Sequence, residues 1–360
     1  MATMPRVLDL VGGTRGTAVE VTATPVTEFI IGLETFQFTE AVHTFEVGPD
    51  WLDRARLVAG PDVLTALARL GRIDWGLLLS AAIAERWPLE LGGFIECVVA
   101  MPAEDLWLLL AGHHVRPFAD AAGPETFFRA ARGDQAARER LADADRQQSR
   151  GTKAKSGIWD LSAPEAHRLT AQVLRGWYRD VFAPSALEAT KVLERDARAK
   201  QRLHRTASDE ALIEAATNGL VYVPEPWVRR IVLTPHIAMR PWNVTCAHDD
   251  TYVICYPVAD DSLGVDPGAP PAGLVRLHKA LADKRRLRIL RLLARSDLNL
   301  AELSEAVGLA KSTTHHHTVI LRSAGLIRAS TAMENRYSLR REAVDEAGSA
   351  LRDFLEAARR

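Results

Sequence analysis

The stretch AKSTTHHHTVILRSAGLI, Ala310 to Ile327, sets three consecutive histidines, His315, His316 and His317, inside a helix-like pattern. Histidine can ligate a metal, move a proton or hydrogen-bond a nucleic-acid base. Successive helix positions differ by about 100°, so three adjacent rings fan around the helix and do not converge on one ion. A metal-binding pair on a helix uses i, i+4 spacing instead. This helix should bury Thr314, His317, Thr318 and Leu321 and turn Thr313, His315, His316, Val319 and Arg322 outward, with His317 half-buried and hydrogen-bonded. A second cluster, CAHDDTYVIC, brings Cys246, His248 and Cys255 onto adjacent strands. Two thiolates and an imidazole would suit zinc or copper(I), although free cysteines are often simply small buried hydrophobes. Val11 to Thr17, VGGTRGT, is Gly-rich but lacks the lysine of a phosphate loop and the spacing of a dinucleotide fingerprint. His113, His114 and His236 have no nucleophile or carboxylate motif beside them. The chain is therefore not expected to be an enzyme, no catalytic residue is assigned and no cofactor is expected.

These residues need a frame. The 360 residues allow two or three domains. An apolar content of 47% with 25% charged residues fits a soluble globular protein. There is no apolar run long enough to span a bilayer, so no membrane partner is expected. Three cysteines form no disulfide framework, and the N-terminus lacks a long apolar signal region, so a cytoplasmic location is expected. The charge is uneven. From Leu274 to Arg360 there are 17 Lys and Arg against 10 Asp and Glu, while the rest of the chain carries 28 against 36. A basic module on an acidic body suggests a polyanion partner for the module.

Pro257 to Gly273 holds four prolines, three glycines and three aspartates, and reads as an interdomain linker. The expected organisation is a disordered leader over 1–16, a mostly helical sensing or dimerising domain over 17–256, the linker over 257–273 and a DNA-binding module over 274–360. In the body, Thr17 to Ala23 alternates like a strand, and helices are expected near 25–36, 62–70, 74–86, 103–111, 124–142, 163–181 and 185–205. Pro224 to Val258 turns β-like and predicts a small sheet. The fold class is mostly α with small β elements.

After the linker the pattern sharpens. Leu274 to Leu281 is a short amphipathic helix. Asp283 can cap the next, whose apolar Leu287, Ile289, Leu290, Leu292 and Leu293 mark the buried side. Ala301 to Val307 is a third helix, stopped by Gly308. Ser312 is a candidate N-cap for a fourth, which Gly325 terminates. Helix, short Gly-containing turn, helix is a helix-turn-helix signature. Ile327 to Ser330 and Arg336 to Leu339 flank the turn TAMEN and make a β-hairpin wing, before a last helix from Glu342 to Ala358.

LADKRRLRILRLLARSDLNLAELSEAVGLAKSTTHHHTVILRSAGLIRAS resembles the winged helix-turn-helix of ArsR/SmtB-type bacterial transcriptional regulators, over about 85 residues of the chain. More loosely, LVYVPEPWVRRIVLTP and VICYPVAD resemble long N-terminal regions attached to this module in some actinobacterial regulators. The resemblance implies that residues after the start of the fourth helix enter the major groove. Ser312, Thr313, His315 and His316 would then meet base edges or phosphates, Lys311 and Arg322 phosphates, and Arg328, Asn335 and Arg336 of the wing the minor groove or backbone. Thr318 departs from the family pattern, which has an apolar residue there, and Val319 replaces a common basic one. The resemblance also implies a homodimer through the first and last helices of the module, with Leu274, Leu277, Leu281, Leu351, Phe354 and Leu355 supplying that surface, and hence an inverted-repeat operator on double-stranded DNA and repression. The family's usual metal sites do not transfer. DLNLAEL carries no cysteine, and REAVDEAGSALRDFLEAARR carries no histidine. The body would receive an unknown signal, including a small-molecule effector. Its tryptophans either line an apolar pocket or fill the core. Two alternatives stay open: a metal- or redox-responsive repressor acting through Cys246, His248 and Cys255, and a winged helix that binds a protein rather than DNA.

Overall fold

The computed structural model describes residues 16–148, 157–264, 270–330 and 336–357. Residues 1–15 of the expected leader and the wing-turn residue Asn335 lie outside these. The chain divides into a larger unit, 20–201 with 231–269, and a smaller one, 1–19 with 202–230 and 270–360.

Strand β1 (Ala18–Val21) runs across the boundary at Glu20, and the larger unit continues through helix α1 (Pro25–Gln37), α2 (Gly48–Val58), α3 (Gly60–Leu70), α4 (Gly76–Ala84), α5 (Leu91–Ala100), α6 (Ala103–Ala111), α7 (Arg116–Ala122), α8 (Pro124–Ala131), α9 (Gln135–Gln148) and α10 (Ala163–Trp177). Helix α11 (Ala186–His204) carries the chain into the smaller unit. The Thr24 hydroxyl caps α1 by accepting from Val26 N–H. Val26 to Phe36 of helix α1 are all buried, Glu28 and Glu34 included, which places the helix at the centre of the core. Phe29 meets Phe94 and Phe182 edge-on, and Trp75, Trp107 and Trp177 are among the largest fully buried side chains. These three tryptophans belong to the core. The single helix expected over 124–142 is two, α8 and α9. Gly133, at φ +98°, lies between them in a conformation that favours glycine.

The smaller unit takes α12 (Asp209–Ala216) and β2 (Leu220–Val221) from the stretch the sequence assigns to the body. The chain then returns to the larger unit for β3 (Arg230–His236), β4 (Val244–His248) and β5 (Thr251–Pro257), which form a sheet of order β1-β3-β5-β4. It re-enters the smaller unit for α13 (Ala272–Leu281), α14 (Lys284–Leu293), β6 (Leu298–Asn299), α15 (Leu300–Val307), α16 (Lys311–Ser323), β7 (Ile327–Ser330), β8 (Arg336–Leu339) and α17 (Arg341–Ala357). Pro257 and Asp260–Ser262 of the expected linker belong to β5 and a 3-10 turn. The fold is mostly α with two small four-stranded sheets.

Candidate nucleic-acid interface

Helices α14, α15 and α16 form a three-helix core with the β7–β8 hairpin. Ile289, Leu290, Leu293, Leu303, Val307, Leu321, Leu326 and Ile327 are buried together. Asp283 caps α14 by accepting from the Arg285 and Arg286 N–H groups, as its position suggested. Leu287 is 49% exposed, against expectation. Ile289, Leu290 and Leu293 set the buried face, and Leu287 lies about 100° away from its centre. A capping box joins Asn299 and Glu302 at the start of α15. Gly308, at φ +70°, ends that helix in the left-handed conformation.

The turn then places α16. The helix begins at Lys311, one residue before the expected serine cap, and its N-cap is Ala310, whose side chain makes no capping bond. Leu309 packs against the module core, and the Thr314 hydroxyl donates to Ala310 O at 3.2 Å. These two anchors set the register, so Ser312 stands exposed in the first turn. With no side-chain acceptor at the cap, the first-turn N–H groups stay open to an external anion.

Along α16, Thr314, His317, Thr318 and Leu321 are buried, the set the sequence periodicity gave. Lys311, Ser312, His315 and His316 are exposed, and Thr313 and Val319 are half-buried. Thr318 fits an apolar position because its hydroxyl donates to His315 O at 2.9 Å. His317 departs from expectation. It is 5% exposed, and neither ring nitrogen has a hydrogen-bond partner. Its ring packs inward near Asp283, Arg285 and Arg286, and desolvation, the largest effect, holds it below the ordinary histidine value. Partial desolvation, helped by Arg322 and His316, likewise lowers His315. Both rings are therefore held toward the neutral form, which can donate and accept.

The remaining basic residues fall into two groups. Arg286 donates to the carbonyls of Ala280 and Lys279 at 2.6 and 2.7 Å, and Arg288 to Ala306 O at 2.8 Å. These two hold helix ends together. Arg322 is half-buried, and desolvation lowers its pKa. Arg328 donates to Glu214 of α12 at 2.5 Å and lies 3.5 Å from Glu342. Arg336 lies 3.7 Å from Glu302 and is 42% exposed. Lys311, by contrast, stands exposed at the start of α16.

Sequence reasoning did not find that the wing is extended. Strand β2 pairs parallel with β7, Leu220 opposite Ala329, giving the order β2-β7-β8-β6. Of the expected dimer surface, Leu274 is buried, Leu277 and Leu281 pack partly against the module core, and Phe354 is half-buried. Leu351 and Leu355 are 39% and 58% exposed.

The alternative metal set does not assemble. Cys246 and Cys255 are buried neighbours on β4 and β5, and a hydrogen bond to Cys255, then burial, pushes the Cys246 thiol well up. Such a thiol is a poor thiolate. His248 lies two residues further along β4, beside Glu85 at 2.9 Å.

The smaller unit thus carries a winged helix-turn-helix. Residues 283–329 match the family model of bacterial regulatory proteins of the arsR family. The region before them matches no family model. No curated protein and no solved structure gives a significant match. A match of this kind supports a DNA-binding transcriptional regulator and double-stranded DNA as its partner. Among the described residues no helix is long and apolar enough to cross a membrane.

Proposed function

We propose that the protein is a sequence-specific transcriptional repressor, a homodimer that binds an inverted-repeat operator in double-stranded DNA, with the larger unit receiving an unknown signal. The observation that carries this reading is the exposed N-terminal half of α16. Lys311, Ser312, His315 and His316 stand outward on a helix anchored by Leu309, Thr314 and Leu321. One hydroxyl and two imidazoles beside a lysine and an open helix N-terminus suit base edges next to phosphates. Thr313 lies at the edge of this surface. Arg336 and the wing residue Asn335 extend the contact toward the backbone. Arg328 and Arg322 act instead as positioning residues, since one is held by carboxylates and the other is half-buried.

Leu351 and Leu355, exposed along α17 beside Phe354, support dimerisation through the last helix. Leu274, Leu277 and Leu281 would contribute the parts of α13 that the module core leaves uncovered.

The test is binding of the full-length protein to DNA upstream of its own coding sequence, measured across a range of salt. The expected result is a footprint over an inverted repeat. His316→Ala should cost about 1–3 kcal/mol on the specific site, and Lys311→Ala should lower the salt slope by about 1. Binding indifferent to both variants would instead favour a winged helix that docks a protein.

A further inference from the structure

Four side chains of the larger unit meet at the turn of the β4–β5 hairpin. His248, the last residue of β4, is 3% exposed, and its Nε2 lies 2.9 Å from Glu85 Oε1 and 3.9 Å from Asp249 Oδ2. His114, between α6 and α7, stacks on His248 with ring centroids 4.2 Å apart. His114 Nδ1 lies 3.4 Å from Asp249 Oδ1. One ligand atom from each of His114, His248 and Asp249 lies within 4.8 Å of the other two.

The backbone is built around this cluster. His248 pairs with Thr251, so Asp249 and Asp250 form a two-residue turn, and Asp249 sits at φ +48°. A non-glycine residue there is uncommon, and such conformations persist where the surroundings enforce them. The two-residue hairpin turn itself requires positive φ at its first position, and Asp249 N–H donates to His114 O at 3.0 Å. That hydrogen bond ties the hairpin to the helical loop and brings the donors together. His248 Nε2 faces both Glu85 and Asp249, so it is the nitrogen that the ring offers to the cluster.

We propose that His114, His248 and Asp249, joined by Glu85, bind a zinc-class divalent transition-metal ion. Two imidazole nitrogens with carboxylate oxygens suit zinc, nickel or cobalt rather than calcium or magnesium. Zinc bonds of about 2.0–2.1 Å place tetrahedral donors about 3.3–3.4 Å apart. The separations of 2.9 Å from His248 Nε2 to Glu85 Oε1 and 3.4 Å from His114 Nδ1 to Asp249 Oδ1 lie near that spacing. The ion takes Nε2, and the neutral ring keeps its single proton on Nδ1. The two buried thiols take no part. The site stands independently of the DNA-binding reading.

The test uses the full-length protein, stripped with a chelator and titrated with cobalt(II), then with zinc in competition. Visible ligand-field bands should saturate at one ion per chain, without the near-ultraviolet band of a cobalt–thiolate bond, and zinc should displace the cobalt. Asp249→Asn keeps a side chain that tolerates positive φ, so circular dichroism should not change. Its zinc affinity should fall by more than about 100-fold, the upper end of what losing an outer partner costs. His114→Gln, at a half-buried position outside the core, should give the same loss, and Cys246→Ser should give none. Absent saturable binding, a thiolate band, or wild-type affinity in both ligand variants would overturn the proposal.

Discussion

Glu214 of α12 accepts a hydrogen bond from Arg328 of β7 at 2.5 Å, and Arg340 lies 3.8 Å from the same carboxylate oxygen. One acidic residue before the winged module thus holds two arginines of the wing. Its side chain and that of Arg328 are each 27% exposed, so solvent screens the pair only in part. Arg328→Ala should therefore lower the stability of the smaller unit by about 1–2 kcal/mol, as for a hydrogen bond between charged groups. Denaturant unfolding would measure this. The salt slope of DNA binding should not change. A slope reduced by about 1 would show that Arg328 leaves Glu214 for a phosphate.

The two units should respond to pH in opposite senses. In the larger unit, burial raises Glu28 to about 7 and Glu34 to about 8, the latter helped by the charge of Asp74. Each carboxyl keeps its proton in the folded state at pH values where the unfolded chain has lost it. Stability then falls as pH rises toward about 8. Below about 6.5 the buried His236, held down to about 3 chiefly by desolvation, opposes this trend. The clean window is therefore about pH 6.5 to 8. Tryptophan fluorescence melts should show a falling midpoint across it, and Glu34→Gln should flatten the fall, since its amide oxygen can still accept from Gly76 N–H.

In the smaller unit the sign reverses. The depressed pKa of His317 means that the unfolded chain binds the proton first, so stability is lost as pH falls below about 6.5. His317→Leu removes two unpaired buried nitrogens. It should stabilise the unit by about 1 kcal/mol at neutral pH and by more in acid. Amide exchange in α16 would report it. Equal protection in variant and wild type at pH 5 would rule this account out.

The thiols offer a check on redox sensing. Cys246 and Cys255 are buried, whereas Cys97 is partly exposed. A maleimide should label Cys97 alone in the native protein at neutral pH and all three cysteines after unfolding. Native labelling of Cys246 ahead of Cys97 would return the redox-responsive reading.

The winged module was legible because its signals are local. The Asp283 cap, Gly308 at the helix end and the apolar spacing of α16 all act within a few residues. Failures inside it have equally local causes. Leu309 and Thr314 outweigh the capping preference of Ser312, and three stronger apolar positions turn Leu287 outward. What the sequence concealed is long-range. Strand β2 is two residues long and pairs with a strand beyond the linker, so no periodicity announces it. His114 and Asp249 are 135 positions apart and meet only because a hairpin turn bonds to a helical loop. The pairing of His248 with nearby cysteines was a reading by proximity in sequence, whereas its donors in space are His114, Asp249 and Glu85.

Helix α17 presents Leu351 at 39% and Leu355 at 58% exposure, with Val344 at 43%. An apolar stripe on an otherwise charged terminal helix is costly to leave in water and suits a partner surface. If that partner is a second copy, Leu351→Asp with Leu355→Asp should dissociate the dimer without unfolding the module, whose core lies on α14, α15 and α16. Sedimentation should then give the monomer mass, with unchanged circular dichroism. Operator affinity should fall steeply, because one recognition helix loses the half-site contacts of the other. A variant that stays dimeric would move the interface off α17. A variant that is monomeric yet binds the full operator at wild-type affinity would show that dimerisation is not what recognises the inverted repeat.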